Sequence, residues 1–151
     1  MGQVRAVTSR QISAPAQAVF DALADYTTVR PKILPAQYGD YSVREGGVGA
    51  GTVASWRLAA TERRVRDVVA RVSQPVALTL VEADDNSSMR VTWTVSGQGD
   101  VALVTAEAVW NGARGIGGFF ERTFAPRVLR KLYAEELDQL DRYARRALSS
   151  A

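Results

Sequence analysis

Met89-Arg-Val-Thr-Trp-Thr-Val-Ser96 alternates apolar and polar side chains without interruption. Successive side chains of an extended chain point to opposite faces, so Met89, Val91, Trp93 and Val95 share one face and Arg90, Thr92, Thr94 and Ser96 the other. This is the pattern of a half-buried strand with a tryptophan at the centre of its buried side. The rhythm continues downstream past the turn Ser96-Gly-Gln-Gly-Asp100: Val104, Ala106, Ala108 and Trp110 face in while Glu107 faces out. Upstream, the polar turn 84–88 separates the strand from Val76, Leu78 and Leu80, which mark another inward face.

Residues 52–60 place Ala54, Trp56 and Leu58 on the inward side. Residues 62–73 admit two registers. We take Arg64, Arg66, Val68, Ala70 and Val72 as inward because their apolar end is continuous, whereas Arg63, Val65, Asp67, Val69 and Arg71 alternate charge with valine. Before them, Tyr41 and Val43 share a face in a strand that ends in the hairpin connection Glu45-Gly-Gly-Val-Gly-Ala-Gly51.

The two ends of the chain change period. Residues 4–12 have strand character, and Pro15 then suits the first turn of a short helix over 15–24, with Val19, Ala22, Leu23 and Tyr26 recurring at helical spacing. Residues 27–36 read as a second short helix broken by Pro31 and Pro35. After Asn111-Gly-Ala-Arg-Gly-Ile-Gly-Gly118, an apolar stripe of Phe124, Val128, Leu132, Leu137, Leu140, Ala144 and Leu148 predicts a long amphipathic helix. It would extend roughly 37 Å at about 1.5 Å per residue, enough to cross a sheet. The expected architecture is α+β: a curved antiparallel sheet of about seven strands around a long C-terminal helix, with two short helices after the first strand. No linker or repeat divides residues 1–151, so one domain is expected.

The chain has no cysteine and no histidine. That removes thiolate nucleophiles, imidazole catalysis and the usual zinc ligands, and we expect neither metal nor cofactor. Nineteen cations against 16 anions, interspersed, give a net charge of +3 and no footprint for nucleic acid. With no run near the roughly 20 apolar residues of a membrane span, and no signal segment at the start, the chain is expected to be cytoplasmic without stable membrane insertion. The glycine runs lack the Walker and GxGxxG spacings. The run 112–118 reads as a hinge or as an ordinary loop. Asp84 with Asp85, and Glu135 with Glu136, read as turn and helix-surface residues.

Trp56, Trp93 and Trp110 all fall inward beside small residues such as Ala54, Ala70, Ala106 and Ala108. This means either interlocked packing or a hollow with an aromatic wall under a single helix. Arg66, with Arg64 beside it, would put guanidinium groups at one end of that interior, where each needs a partner: a structural one such as Glu82, or a ligand oxygen.

The segment Ile12-Ser-Ala-Pro-Ala-Gln-Ala-Val-Phe-Asp-Ala-Leu-Ala-Asp-Tyr26, the hairpin Glu45-Gly-Gly-Val-Gly-Ala-Gly-Thr52 and the closing Leu-rich helix together resemble the START-like, Bet v 1-like (SRPBCC) superfamily. Within it the chain is similar to bacterial polyketide cyclase/dehydrase and lipid-transport proteins. The resemblance implies a helix-grip fold that binds a small hydrophobic ligand, a lipid, sterol or polyketide, between sheet and helix. It leaves open a cyclase, aromatase or dehydratase activity, for which Arg66, Tyr41 and Tyr26 match by residue type, and a regulatory or protein-interaction role. The ligand-lining set expected on this basis is Tyr41, Trp56, Leu58, Arg64, Arg66, Met89, Trp93, Ala106, Trp110, Phe120, Phe124 and Val128.

Overall fold

The alternation around Trp93 forms strand β6 at the middle of the sheet. In the computed structural model, which describes residues 3–59, 65–111 and 126–148, the elements run β1 (Gln3–Ile12), α1 (Ala16–Leu23), α2 (Arg30–Ile33), β2 (Tyr38–Glu45), β3 (Val53–Ala59), β4 (Val65–Ser73), β5 (Thr79–Asp84), β6 (Arg90–Ser96), β7 (Ala102–Asn111) and α3 (Pro126–Ala147). The strands form one antiparallel sheet in the order β1-β7-β6-β5-β4-β3-β2. Strands β2 to β7 are a meander, and β1 closes it by pairing with β7, so the α1–α2 connection carries the chain from one sheet edge to the other. This is the helix-grip fold.

Register decides which side chains meet. Opposed residues of an antiparallel pair share a face, and the pairs Trp56 with Val68, Ala54 with Ala70 and Leu58 with Arg66 put the even-numbered side of β4 inward, as its apolar end requires. Trp93 pairs with Ala106 and Leu80, and Ala108 with Ala6 and Val91, so large and small side chains alternate across the inner face. Strand β2 departs from alternation. Its register shifts between Gly39 and Ser42, with Asp40 at a φ of 52°, so Tyr38 and Tyr41, three residues apart, both reach the Trp56 ring, at 5.8 and 6.1 Å.

Helix α3 lies along β1 and touches α2 and β7. Its buried face is Leu129, Leu132, Tyr133, Glu136, Leu137, Leu140, Asp141 and Ala144. Asp141 latches it to the first corner of the chain. The carboxylate accepts hydrogen bonds from the Ser13 amide at 3.0 Å, Arg145 at 2.9 Å and Arg10 at 3.3 Å. Pairing to Arg145 and these amide and guanidinium donors hold its pKa below the usual value although burial alone would raise it.

Two local expectations change. Pro15 is the N-cap of α1 instead of part of its first turn, with an extended ψ of 149°. Val76 is not inward: β5 begins at Thr79, Leu78 just before it has a φ of 57°, and Val76 sits in the preceding loop with 64% of its surface exposed. No helix among the described residues is long and apolar enough to cross a membrane.

Candidate functional site

Helix α3 follows the β1 edge, and a hollow remains between its Tyr133 and Glu136 side chains and the inner face of β2 to β6. Its walls are Leu34 and Arg30 of the α2 region, Tyr38 and Tyr41 of β2, Trp56 and Leu58 of β3, Val68 and Ala70 of β4, Glu82 and Asp84 of β5, Met89 before β6, Val91 and Trp93 of β6, and Tyr133 and Glu136 of α3. Leu34, Tyr38, Tyr41 and Trp56 are the partly exposed members and form the rim. The hollow is open on one side, and its cavity volume is only about 20 Å³. That is room for about one water, so the hollow is a narrow slot.

The inner end of the slot is ionic. An Asx turn builds it: the Asp25 carboxylate accepts the amides of Thr27 and Thr28 at 3.2 and 2.9 Å, and the chain turns to bring Arg30 beneath the sheet. Arg30, 3% exposed, donates from Nε to the Leu23 carbonyl at 2.7 Å and from Nη2 to Glu82 Oε2 at 2.8 Å. Its guanidinium lies 4.4 Å from the Tyr26 ring centre and 4.9 Å from that of Trp93. Tyr26 donates its hydroxyl to the same Glu82 oxygen at 2.6 Å, and Tyr41 donates to the Tyr26 carbonyl at 2.6 Å. A second carboxyl, Glu136, approaches Arg30 Nη1 at 3.7 Å.

Burial sets the protonation states. It pushes Glu136 up to about 8; Arg30 opposes this and Glu82 reinforces it. At neutral pH Glu136 is therefore mostly a carboxylic acid. The phenols of Tyr26, Tyr38, Tyr41 and Tyr133 are all raised, chiefly by burial, and stay protonated. Arg30 is held charged: burial works to lower it, and Tyr26, Glu82 and Glu136 outweigh burial. The slot thus presents one cation already paired with Glu82, and a set of uncharged proton donors.

The structure brings together Tyr41, Trp56, Leu58, Met89 and Trp93 of the residues expected from sequence, with Tyr26 directly behind them. It does not bring Arg66, Ala106, Trp110 or Val128 there. Arg66 is on the inward side of β4 by register but does not line the slot, and it donates to the Asn86 carbonyl at 3.1 Å. Glu82 is consequently not its partner. Ala106 and Trp110 are fully buried in packed core nearer β1, and Val128 lines a separate surface groove with Gln37 and Lys131. Arg63, Arg64, Phe120, Phe124 and the glycine run 112–118 lie outside the described residues. Glu136 is 2% exposed and is no surface residue. Its signal was present: it stands four residues from both Leu132 and Leu140, on the apolar stripe. Glu82 and Asp84 likewise continue the inward parity of Leu80. Arg30 carries no comparable mark, because a four-residue helix has no periodicity to read.

The glycine hairpin has a structural task here. Gly47 N donates to Thr52 Oγ1 at 3.1 Å, Gly49 N to the Ala24 carbonyl at 2.8 Å and Gly51 N to the Val72 carbonyl at 3.0 Å, so these amides are committed within the protein and do not cradle an anion. In return the Gly47 carbonyl accepts the Tyr26 amide at 2.8 Å and fixes that tyrosine behind the slot. Among the described residues no group of three carboxylates is placed to hold a metal ion.

Residues 3–145 match the model of a family described as polyketide cyclase / dehydrase and lipid transport. The solution structure of the KanY protein is 49% identical and superimposes with a TM-score of 0.87, over 96% of this chain and 99% of that one. The Zhui aromatase/cyclase of Streptomyces sp. R1128 is 14% identical with a TM-score of 0.68, over 99% of this chain and 100% of that one. Major latex-like protein 151 of Panax ginseng is 12% identical with a TM-score of 0.72, over 93% of this chain and 97% of that one. The last two establish a shared fold. No curated protein matches the chain at a significant level.

Proposed function

Because the chain belongs to the polyketide cyclase/dehydrase and lipid-transport family, we propose that it binds a small hydrophobic ligand in the slot between the β2–β6 face and α3. The supporting observation is that an apolar wall of Leu58, Val68, Met89, Val91 and Trp56 leads to buried polar groups at its inner end, an arrangement that orients a ligand and that close packing alone does not require. The slot is narrower than the roughly 300 Å³ of ordinary ligand pockets, so entry is coupled to parting of the Tyr38, Tyr41 and Trp56 rim. Native mass spectrometry of freshly purified protein should reveal a bound lipophile, and stripped protein should show saturable changes in tryptophan fluorescence with neutral aromatic compounds. A stripped protein that responds to no member of a panel of fatty acids, sterols and aromatic polyketides would remove the proposal.

One observation favours a second reading, cyclisation or dehydration of a polyketide-like substrate. Glu136 keeps a proton near neutrality beside a fixed cation, the pairing needed to polarise a carbonyl and protonate an enolate. In that reading Arg30, Glu136 and Tyr26 carry the role expected of Arg66, Tyr41 and Tyr26. Turnover of a linear poly-β-ketone thioester, lost in Glu136→Gln, would establish it.

A further inference from the structure

Two buried polar atoms on residues that line the slot have no hydrogen-bond partner within the protein. They are Trp93 Nε1, on a side chain of a residue 1% exposed, and Glu136 Oε2, on one 2% exposed. Leaving such groups unmade is costly, about 1–3 kcal/mol each. Both belong to the wall of the same hollow, and both stand against the same guanidinium: the Trp93 ring 4.9 Å from Arg30 Cζ, the Glu136 oxygen 3.7 Å from Arg30 Nη1. The hollow that both residues line has room for about one water-sized group.

We infer that Trp93 Nε1 and the Glu136 carboxyl form a polar notch for one uncharged oxygen, a ketone, enol or hydroxyl, of an otherwise apolar ligand, and that the slot discriminates against carboxylates. This rests on the reading that the slot takes a hydrophobic ligand, and specifies its class. The indole N–H only donates, and a carboxylic acid donates through its O–H, while a carbonyl oxygen has two lone pairs to receive both. A carboxylate is disfavoured because the positive charge at this end is already balanced: Arg30 Nη2 bonds Glu82 at 2.8 Å, and Nε donates to the Leu23 carbonyl. An entering anion would face Glu82 across a low-dielectric gap, and among the described residues no second cation stands on the slot wall to offset it. The Asp84 oxygens, also on the wall, are occupied by the Val69 and Asn86 amides and the Ser87 hydroxyl.

The notch also has a pH limit. Glu136 faces Arg30 from α2, Glu82 from β5, Tyr38 from β2 and its own neighbour Tyr133, with Tyr26 and Tyr41 behind Arg30. The tyrosines stay protonated through the relevant range, so ionisation of Glu136 is the event that converts a donor into an anion and turns the notch against a carbonyl.

Three probes of one shape separate the outcomes: 2-acetylnaphthalene, 2-ethylnaphthalene and 2-naphthoate, titrated by calorimetry at pH 6.5 into the full chain stripped of lipophiles. The ketone should bind at least tenfold more tightly than the hydrocarbon, and the naphthoate more weakly than both. In Trp93→Phe and in Glu136→Met the ketone-to-hydrocarbon ratio should fall toward one. In unaltered protein at pH 9.5 the ratio should also fall, which keeps the test decisive if either variant fails to fold. Equal affinities for ketone and hydrocarbon, or tightest binding of naphthoate, overturn the notch while leaving the hydrophobic site intact. Failure of all three probes to bind would instead remove the ligand-binding reading on which the notch depends.

Discussion

Glu136 is a carboxyl group kept in a place where its charge is unwelcome, and that has a measurable thermodynamic signature. Its pKa lies at about 8 in the fold against an ordinary 4.5, so between these values the folded state binds more protons than the unfolded state. Stability must then fall as pH rises through that interval, by at most about 1.4 kcal/mol per pH unit from this group. Glu136→Gln removes the slope. Urea midpoints of variant and wild type should be close at pH 5 and separate by pH 9, with the variant more stable; parallel curves would show that the carboxyl is not desolvated. Arg30 has the opposite character. It neutralises Glu82 at 2.8 Å within the core, so Arg30→Met leaves that carboxylate unpaired and should cost about 3–5 kcal/mol. Adding Glu82→Gln should return part of the loss, which a double-mutant cycle by urea denaturation would detect.

The glycine hairpin and the Asp141 latch show how elements place these residues. Gly47 has a φ of 146°, and a Cβ there would stand 2.6 Å from Thr27 Oγ1, whereas Gly49, at a φ of 64°, has open space around it. Gly49→Ala should therefore cost about 1 kcal/mol from backbone conformation alone. Gly47→Ala carries a collision as well and should cost clearly more, while displacing Tyr26 and weakening any ligand of the slot; thermal melts of the two variants make the comparison. At the other corner, Asp141 has a lowered pKa, so its stabilisation is complete above its ordinary value near 3.8 and disappears as pH falls through the lowered one. Asp141→Asn should flatten the acid limb of stability and leave the alkaline side alone. Elements of this kind were legible in the sequence wherever one period ran unbroken: β6, β7, the inward side of β4 and the stripe of α3 follow from alternation or helical spacing. Tyr38 was hidden because the bulge at Asp40 breaks the parity of β2. The Arg30 cluster was hidden because its charged members come from α2, β5 and α3, and local pattern holds no information on which distant charges meet.

At the scale of the molecule, the sheet and its helix make a wedge that is solid on one side and slotted on the other. Where α3 runs along β1, the alanines of β7 let the helix approach closely, and Ala106 and Ala108 are fully buried. Away from the helix, Ala70 faces the slot instead. A sequence reading treats these alanines alike, since each is small, inward and next to a tryptophan-bearing strand; only the path of the helix across the sheet tells packing from hollow. The same substitution at two positions tests the asymmetry. Ala106→Val adds two methyl groups to closed packing opposite Trp93 and should destabilise by roughly 1–3 kcal/mol, with little change in binding of 2-ethylnaphthalene. Ala70→Val adds the same groups beside about 20 Å³ of free space, so stability should change by less than about 1 kcal/mol while binding of that probe falls at least tenfold. Thermal denaturation and calorimetry of the two variants give the answer together. Equal destabilisation with unaltered binding in both would mean that the wedge is solid throughout and that ligands go elsewhere.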